Sequence, residues 1–419
     1  MTELGELTEA ILADVCSLVT DGTHDTPRRV KLGYPLIKAK EIVGGRIDFE
    51  ICDQISEEEH LKVVARSKPE FGDTLFAHIG ASLGEAAFVN TTREFSIKNI
   101  ALFKPNPAII DPRYLHYLVI SPAFQSHAKG TKTGSAQPFL GLSQLRSHRI
   151  QYHRDMAIQC RIAGILSAYD ELIENNQRRI KILEEMARSL YCEWFVHFRF
   201  PGHNKVKMVP SPLGPIPQGW EVRPVPGCVS INPRVAVPRE DEKPFVPMGS
   251  LVNDSMLITS VEARVGNSGA KFQNGDTLFA RITPCLENGK TGFVQFLPDS
   301  KAVAFGSTEF IVLRSCTLTP EFVYLLARSE EFRGNAIKSM SGASGRQRVK
   351  EQCFDRFLIA QPARPLLDHF SAIVAPSFRL IQKLHLQTEN LRRTRDLLLP
   401  RLLSGSVNLT SVSPIGAHQ

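Results

Sequence analysis

The chain has 419 residues, 42% of them hydrophobic and 22% charged, with 50 Lys and Arg against 43 Asp and Glu. This is the composition of a folded globular protein with room for two domains, which excludes a disordered or low-complexity chain. No run reaches the ~20 apolar residues of a membrane span, and Met1 to Ala10 lacks the layout of a secretion signal; the net charge of +7 favours a polyanionic partner mildly.

The eight cysteines are scattered, with no Cys-x-x-Cys pair. They read as reduced packing residues of a cytoplasmic protein rather than as a zinc or redox site.

Residues 12–150 read as mixed α/β. Asp21 to Pro27 has loop chemistry, and Pro35 to Lys40 reads as a strand bearing two lysines. Asp73–His78, Glu85–Asn90 and Ile97–Phe103 read as further strands. Asp111-Pro112 opens a helix with Tyr114, Leu115 and Leu118 at helical spacing. A loop of Gly, Ser, Thr and Lys follows, from Lys129 to Ser135.

A long amphipathic helix comes next. Ile158, Ile162, Ile165, Tyr169, Leu172, Asn176, Ile180, Leu183, Ala187, Leu190 and Trp194 step by fours and threes, which is a coiled-coil pattern with one stutter. At 1.5 Å per residue this helix is roughly 55 Å long. Asn176 in the apolar stripe either fixes register or is a solvated break. Phe195, Phe198 and Phe200 beside Trp194 either form a dock or cap the rod. Residues 200–219 carry Pro201, Pro210, Pro212, Pro215 and Pro217, a linker composition that resists helix and strand.

The rest of the chain repeats the first half. Gly72-Asp73-Thr74-Leu75-Phe76-Ala77 recurs letter for letter as Gly275-Asp276-Thr277-Leu278-Phe279-Ala280. Ile79 answers Ile282, Phe88-Val89 answers Phe293-Val294, Phe95 answers Phe305, Tyr117-Leu118 answers Leu325-Leu326, and Phe124 answers Phe332. A period this long means two related domains rather than a solenoid. A helix begins near Pro320, and a second basic glycine-serine loop runs from Lys338 to Arg348. The long helix is repeated too, with Leu366, Phe370, Ile373, Leu380, Leu384, Leu391, Leu398 and Leu402 in the stripe. Pro376 is expected to kink or divide it, and Pro400 and Gly405 to end it. Each helix alone leaves an apolar stripe exposed. Antiparallel pairing of the two, with pseudo-two-fold symmetry, buries both.

Catalytic constellations are missing. Gly289-Lys290-Thr291 ends like a phosphate-binding loop, but Pro284 stands where that loop needs glycine. Asp241-Glu242-Lys243 reads as a solvated charge run, and Asp21 with His24 as turn chemistry rather than metal ligands. No nucleophile elbow and no methyl-donor loop is present. The pattern favours binding over catalysis.

Taken together, the repeated Gly-Asp-Thr-Leu-Phe-Ala strand, the Gly134-Ser135-Ala136-Gln137-Pro138 loop, the Pro217-Gln218-Gly219-Trp220 entry and the closing Leu402-Leu403-Ser404-Gly405 resemble the specificity subunit of type I restriction-modification enzymes. The resemblance covers nearly the whole chain. It implies an α+β fold of two target recognition domains, 1–150 and 220–359. Two long antiparallel spacer helices, 151–199 and 360–405, would join them, with a linker at 200–219 and a tail at 406–419. It implies a non-catalytic subunit that reads the two halves of a split, asymmetric site in double-stranded DNA. Two modification subunits would supply S-adenosylmethionine and adenine methylation. Restriction subunits would supply ATP- and Mg-dependent translocation and cleavage. A stand-alone DNA-binding protein, or the specificity partner of a fused type II methylase-nuclease, is the alternative.

Candidate DNA-contacting residues in the first domain are Thr23, His24, Lys38, Lys40 and His78, with Lys129, Lys132, Thr133, Ser135 and Gln137 of the glycine-rich loop. In the second they are Arg234, Arg264, Arg281, Lys290 and, in the later loop, Lys338, Ser344, Arg346 and Arg348. Arg281 follows the repeated strand where the first copy has His78, so that position is a candidate for differing specificity. For each cation the alternative is an ordinary solvated charge.

Overall fold

The computed structural model describes residues 6–130, 139–343, 345–407 and 409. The chain divides into two compact units, Met1–Ile173 with Asn390–Gln419, and Glu174–Glu389.

The first unit is built on a four-stranded antiparallel sheet of β1 (Cys16–Asp21), β2 (Thr74–Phe76), β3 (Ala86–Phe88) and β4 (Ala101–Pro105), in the order β1-β4-β2-β3. The second unit repeats it with β5 (Val229–Ile231), β6 (Thr277–Ala280), β7 (Thr291–Phe293) and β8 (Phe310–Ser315), in the order β5-β8-β6-β7. The repeated hexapeptide forms the third strand of each sheet. Its side chains alternate between two cores, as a strand buried on both faces requires. Leu75 packs with Leu102, Ile37 and Ile97 on one face, while Phe76 packs with Phe103, Tyr114 and Phe124 on the other. Leu278 and Phe279 divide in the same way, Leu278 with Val312 and Val246, Phe279 with Phe322 and Phe332. Even the ring contacts recur: Phe76 meets Phe124 edge-on at 5.5 Å, and Phe279 meets Phe332 edge-on at 5.7 Å.

The Gly-Asp that opens the phrase is a turn lock. Gly72 and Gly275 sit at φ +97° and +88°, a conformation that favours glycine. Asp73 Oδ2 accepts the Glu70 N–H at 2.7 Å and Lys104 Nζ at 2.7 Å. Asp276 Oδ2 accepts the Gln273 N–H at 2.8 Å, and Arg314 grips both carboxylate oxygens at 2.7 and 2.6 Å. The cation comes from the neighbouring strand in both units, so the identical residues serve the scaffold.

A second sheet covers the Leu75 or Leu278 face. In both units it contains a parallel pair, Ser96–Ile97 on Tyr34–Ile37 and Ala304–Gly306 on Glu242–Val246. An antiparallel third strand joins each, Asp53–Ile55 or Glu262–Val265. The run expected as one strand over Ile97–Phe103 is therefore two strands in two sheets, parted at Asn99 with φ +54°. The register of the parallel pairs sets Phe305 opposite Phe245 and Ser96 opposite Leu36. By strand position, then, Phe305 answers Ser96 rather than Phe95.

Helices cover the other face. Asp111 caps Pro112–Ile120 by accepting the Tyr114 N–H at 2.8 Å, and Thr319 caps Pro320–Arg328 through the Phe322 N–H. Each unit closes with a two-stranded ribbon, Leu7–Ile11 on Arg149–His153 and Glu221–Pro224 on Leu358–Gln361.

Two long helices run through both units, α1 (Met156–Tyr191) and α2 (Arg364–Leu403). In the first unit Ile162, Ile165 and Leu166 share a core with Leu399 and Leu402. Arg395 reaches Asp170 at 2.5 Å there, and the Tyr117 hydroxyl donates to the same carboxylate at 2.5 Å. In the second unit Ile180, Ala187 and Tyr191 share a core with Phe370, Phe378 and Leu384. The early half of α1 thus meets the late half of α2, and the reverse, which is antiparallel packing within each unit.

Several further expectations change, and two alternatives are decided. Helix α2 is not divided at Pro376: that residue is exposed, and the buried stripe continues on both sides of it. Pro400 lies inside the last turn, and Gly405 at φ +71° follows the end. Ile373 is 45% exposed while Val374 is buried, because Phe378 packs on Phe293 and Tyr324 of the second unit's body and turns the stripe that way. The proline-rich stretch 200–219 carries an antiparallel pair, Met208–Val209 on Ile216–Pro217, and Ile216 is buried. Trp194, Phe195 and Phe200 are buried with Trp220 and Phe370, so the aromatic group is core rather than dock. Asn176 is buried, so it is no solvated break in the stripe. Among the described residues no helix is long and apolar enough to cross a membrane.

Candidate nucleic-acid interface

One end of the four-stranded sheet gathers corresponding segments in each unit. In the first unit the chain leaving β1 turns through Gly22, whose N–H donates to Ile100 O at 2.9 Å, and Thr23 bridges to Lys98. A Cβ at Gly22 would stand 2.1 Å from Ile97 O, so only glycine lets this loop pass. His78 follows β2, and the returning loop pairs with it, Ile79 bridging Phe139 and the Leu140 N–H donating to His78 O at 3.0 Å. In the second unit the Asn232 N–H donates to Val312 O at 2.8 Å as the chain leaves β5. Arg281 follows β6, Ile282 bridges Arg348, and the Val349 N–H donates to Arg281 O at 2.8 Å. The scaffold is the same and the side chains differ: Arg234 against the Gly22–His24 turn, Arg281 against His78, Arg348 against Phe139.

The sequence candidates divide by what holds them. His24 is tied at both ring nitrogens, to Asp21 Oδ2 and Asn99 Oδ1, each at 2.9 Å, and stays half exposed. Thr23 Oγ1 accepts the Asp25 N–H at 3.1 Å. His78 is 1% exposed, and its Nδ1–H donates to Leu140 O at 2.9 Å. Burial pushes its imidazole below the ordinary range, with the Leu140 carbonyl opposing. Lys38 is paired with Asp53, whose carboxyl it holds below the usual range, and Lys40 lies 3.3 Å from Glu41. Lys129 falls in the helix Pro122–Gly130. Its side chain, together with Lys132, Thr133, Ser135, Gln137 and Ser344, lies outside the described residues.

In the second unit Arg234 and Arg281 line one recess of about 850 Å³ with Lys271, Thr308 and Phe310. Arg348 donates to Glu309 through Nε and Nη2 at 2.8–3.0 Å. Arg346 is exposed beside it, and Lys338 is exposed in the last turn of Glu330–Lys338. Lys290 points to Met248 O at 3.4 Å. Arg264 lies apart, on the outer strand of the second sheet, over the Phe245 ring at 3.8 Å and paired with Glu262.

Lys98, Asn99 and Lys271 join this end of the units without having been singled out. Lys98 and Asn99 are hidden inside an apparently continuous strand, and an asparagine there was the available signal. Lys271 comes from a strand with no motif. Among the described residues no group of three His, Cys, Asp or Glu is placed to hold a metal ion.

No protein-family model matches the chain. It is 23% identical over 402 residues, 90% of either chain, to the type I restriction enzyme MjaIX specificity subunit of Methanocaldococcus jannaschii. It is 28% identical over 233 residues, 53% of either chain, to the putative type I restriction enzyme MjaX specificity subunit of the same organism. The crystal structure of the type I restriction-modification S subunit from M. genitalium has the same fold, with a TM-score of 0.59 over 96% of this chain and 97% of that one, at 12% identity. In sequence and in fold, along nearly its whole length, the chain is similar to the specificity subunits of type I restriction enzymes.

Proposed function

We propose that the chain is the DNA-specificity subunit of a type I restriction-modification system and reads a bipartite, asymmetric site. The observation that carries this is the pairing of one scaffold with two sets of rim residues. A symmetric site would need equal rims. Here Arg281, Arg234 and Arg348 stand where the first unit has His78, the Gly22–His24 turn and Phe139. Backbone phosphates would position each unit, and base edges in the major groove would specify the sequence.

The chain itself does no chemistry in this reading. Two modification subunits bind S-adenosylmethionine and methylate adenine, and restriction subunits use ATP and Mg to translocate and cut.

The test is a genome-wide map of N6-methyladenine with and without the gene. Loss of the mark from a single split motif is the expected result. An unchanged map in cells that express the partner methylase would sink the reading. Tight binding to one sequence by the chain alone, with no change in methylation, would instead favour a stand-alone DNA-binding protein.

A further inference from the structure

The recess beside Arg281 is concave, and what it can accept follows from its shape. Reading base edges in a groove takes an element that protrudes into the DNA, such as a helix or a loop. A hollow of about 850 Å³ receives only what protrudes from the duplex, and along B-form DNA that is the sugar-phosphate ridge. Its charge agrees. Arg234, Lys271 and Arg281 line it with no Asp or Glu among the lining residues. None of the three pairs with a carboxylate among the described residues, whereas the adjacent Arg348 is neutralised by Glu309. Arg281 is half-buried in the wall of the recess, and its Nε has no hydrogen-bond partner among the described residues.

We infer that this recess is a phosphodiester seat, in which Arg281, Lys271 and Arg234 hold the DNA backbone beside the second half-site and fix the register of that unit. This rests on the DNA-reading function proposed above. It reassigns Arg281, which as the mismatch between the two copies looked like a reader of sequence, to positioning, and leaves the difference in reading to the other rim residues, among them His24 and Asn99 in the first unit and Arg346 and Arg348 in the second. It also makes the halves unequal in how they hold DNA. At the matching place the first unit has His78, buried and bonded to Leu140 O, with Phe139 against its ring at 5.9 Å.

The experiment measures Kd against salt for the chain assembled with its methylase, on duplexes carrying the methylated motif and on duplexes with single base changes. Arg281→Gln, Lys271→Gln and Arg234→Gln are each expected to flatten the slope of log Kd against log salt by about 0.9. Each should weaken cognate and altered duplexes by the same factor. Lys301→Gln, an exposed cation of the same unit outside the recess, is expected to leave the slope unchanged. Thermal melts confirm that the variants fold, and Arg234 is exposed enough to give a folded variant if Arg281→Gln does not. Relaxed discrimination at one base pair, with the slope intact, would overturn the seat and make Arg281 a base reader. No change in either quantity would also overturn it, by showing that DNA does not enter the recess. If the unaltered complex preferred no sequence at all, the broader function would fall instead.

Discussion

Asp276→Ala is expected to destabilise the second unit by about 2–3 kcal/mol, the range of charged hydrogen bonds lost from a pair whose carboxylate is buried and whose guanidinium is partly solvated. Asp276 is 1% exposed and does two things. It ties the Gln273 N–H that closes the turn before β6, and it receives both arms of Arg314 from β8. Alanine leaves the guanidinium unpaired against the sheet and the turn donor unsatisfied. Asp276→Asn keeps an acceptor for the turn and should fall between. Asp73→Ala should be milder, because Lys104 also reaches Glu70 at 2.9 Å and keeps a carboxylate. Urea unfolding of the full chain decides it. A loss under about 1 kcal/mol for Asp276→Ala would mean that the repeated Gly-Asp is not a structural lock.

Acid should weaken the first unit well before its carboxylates titrate. His116 lies under β3, 8% exposed and 5.8 Å from Phe88, and burial pushes its imidazole down to about 4. His148 is also held at about 4, by burial first and by His127 second. A histidine whose folded value lies below its unfolded value of 6.5 binds its proton more readily in the unfolded chain. Its contribution is complete above that unfolded value and is lost as pH falls toward 4. Between pH 7 and pH 5, His116 alone accounts for a loss on the order of 2 kcal/mol. The carboxyl of Asp73, raised mainly by burial, works in the opposite sense, since its cost eases as pH falls. The clean measurement is therefore a difference. His116→Leu should lose about 2 kcal/mol less than the parent chain over that interval in urea titrations. Equal losses would show that the imidazole is not held neutral by burial.

The parts of the fold that the sequence revealed are those governed by local or periodic rules. Asp111-Pro112 and Thr319-Pro320 start helices because capping and proline geometry act within one turn. The stripes of α1 and α2 are legible because burial repeats with the helix. The places where reading failed are decided across space. Nothing in the apolar run Ile97–Phe103 tells that Asn99 hands the chain from one sheet to the other. Nothing near Ile373 tells that Phe378 is drawn to Phe293. The aromatic cluster at Trp194 looks exposed until Trp220 is placed over it.

The interface follows the same division. Comparing the two copies locates His78 and Arg281, since a single mismatch after identical strands stands out. Lys271 enters only through pairing of Ala270–Phe272 with Ala304–Gly306, and the neutralisation of Arg348 depends on Glu309, far away in sequence. Lys38 is likewise committed to Asp53, which no local rule announces.

The division of the chain also decides how its two units could be transplanted. The sequence pattern places the first domain's edge at residue 150, ahead of α1. A chimera spliced there would seat a foreign sheet on native Ile162, Ile165 and Leu166, side chains that belong to the same core as Phe76 and Tyr114. Leu399 and Leu402, from the far end of the chain, would be mismatched too. The crossover points that leave a core whole are Ile173/Glu174 in α1 and Glu389/Asn390 in α2. The portable cassette is a sheet with two half-helices, one from each strut. Exchanged at those points, it is expected to alter one half of the methylated motif and leave the other as it was. A change in both halves, seen in the methylation map of the chimera, would mean that the two units do not read independently.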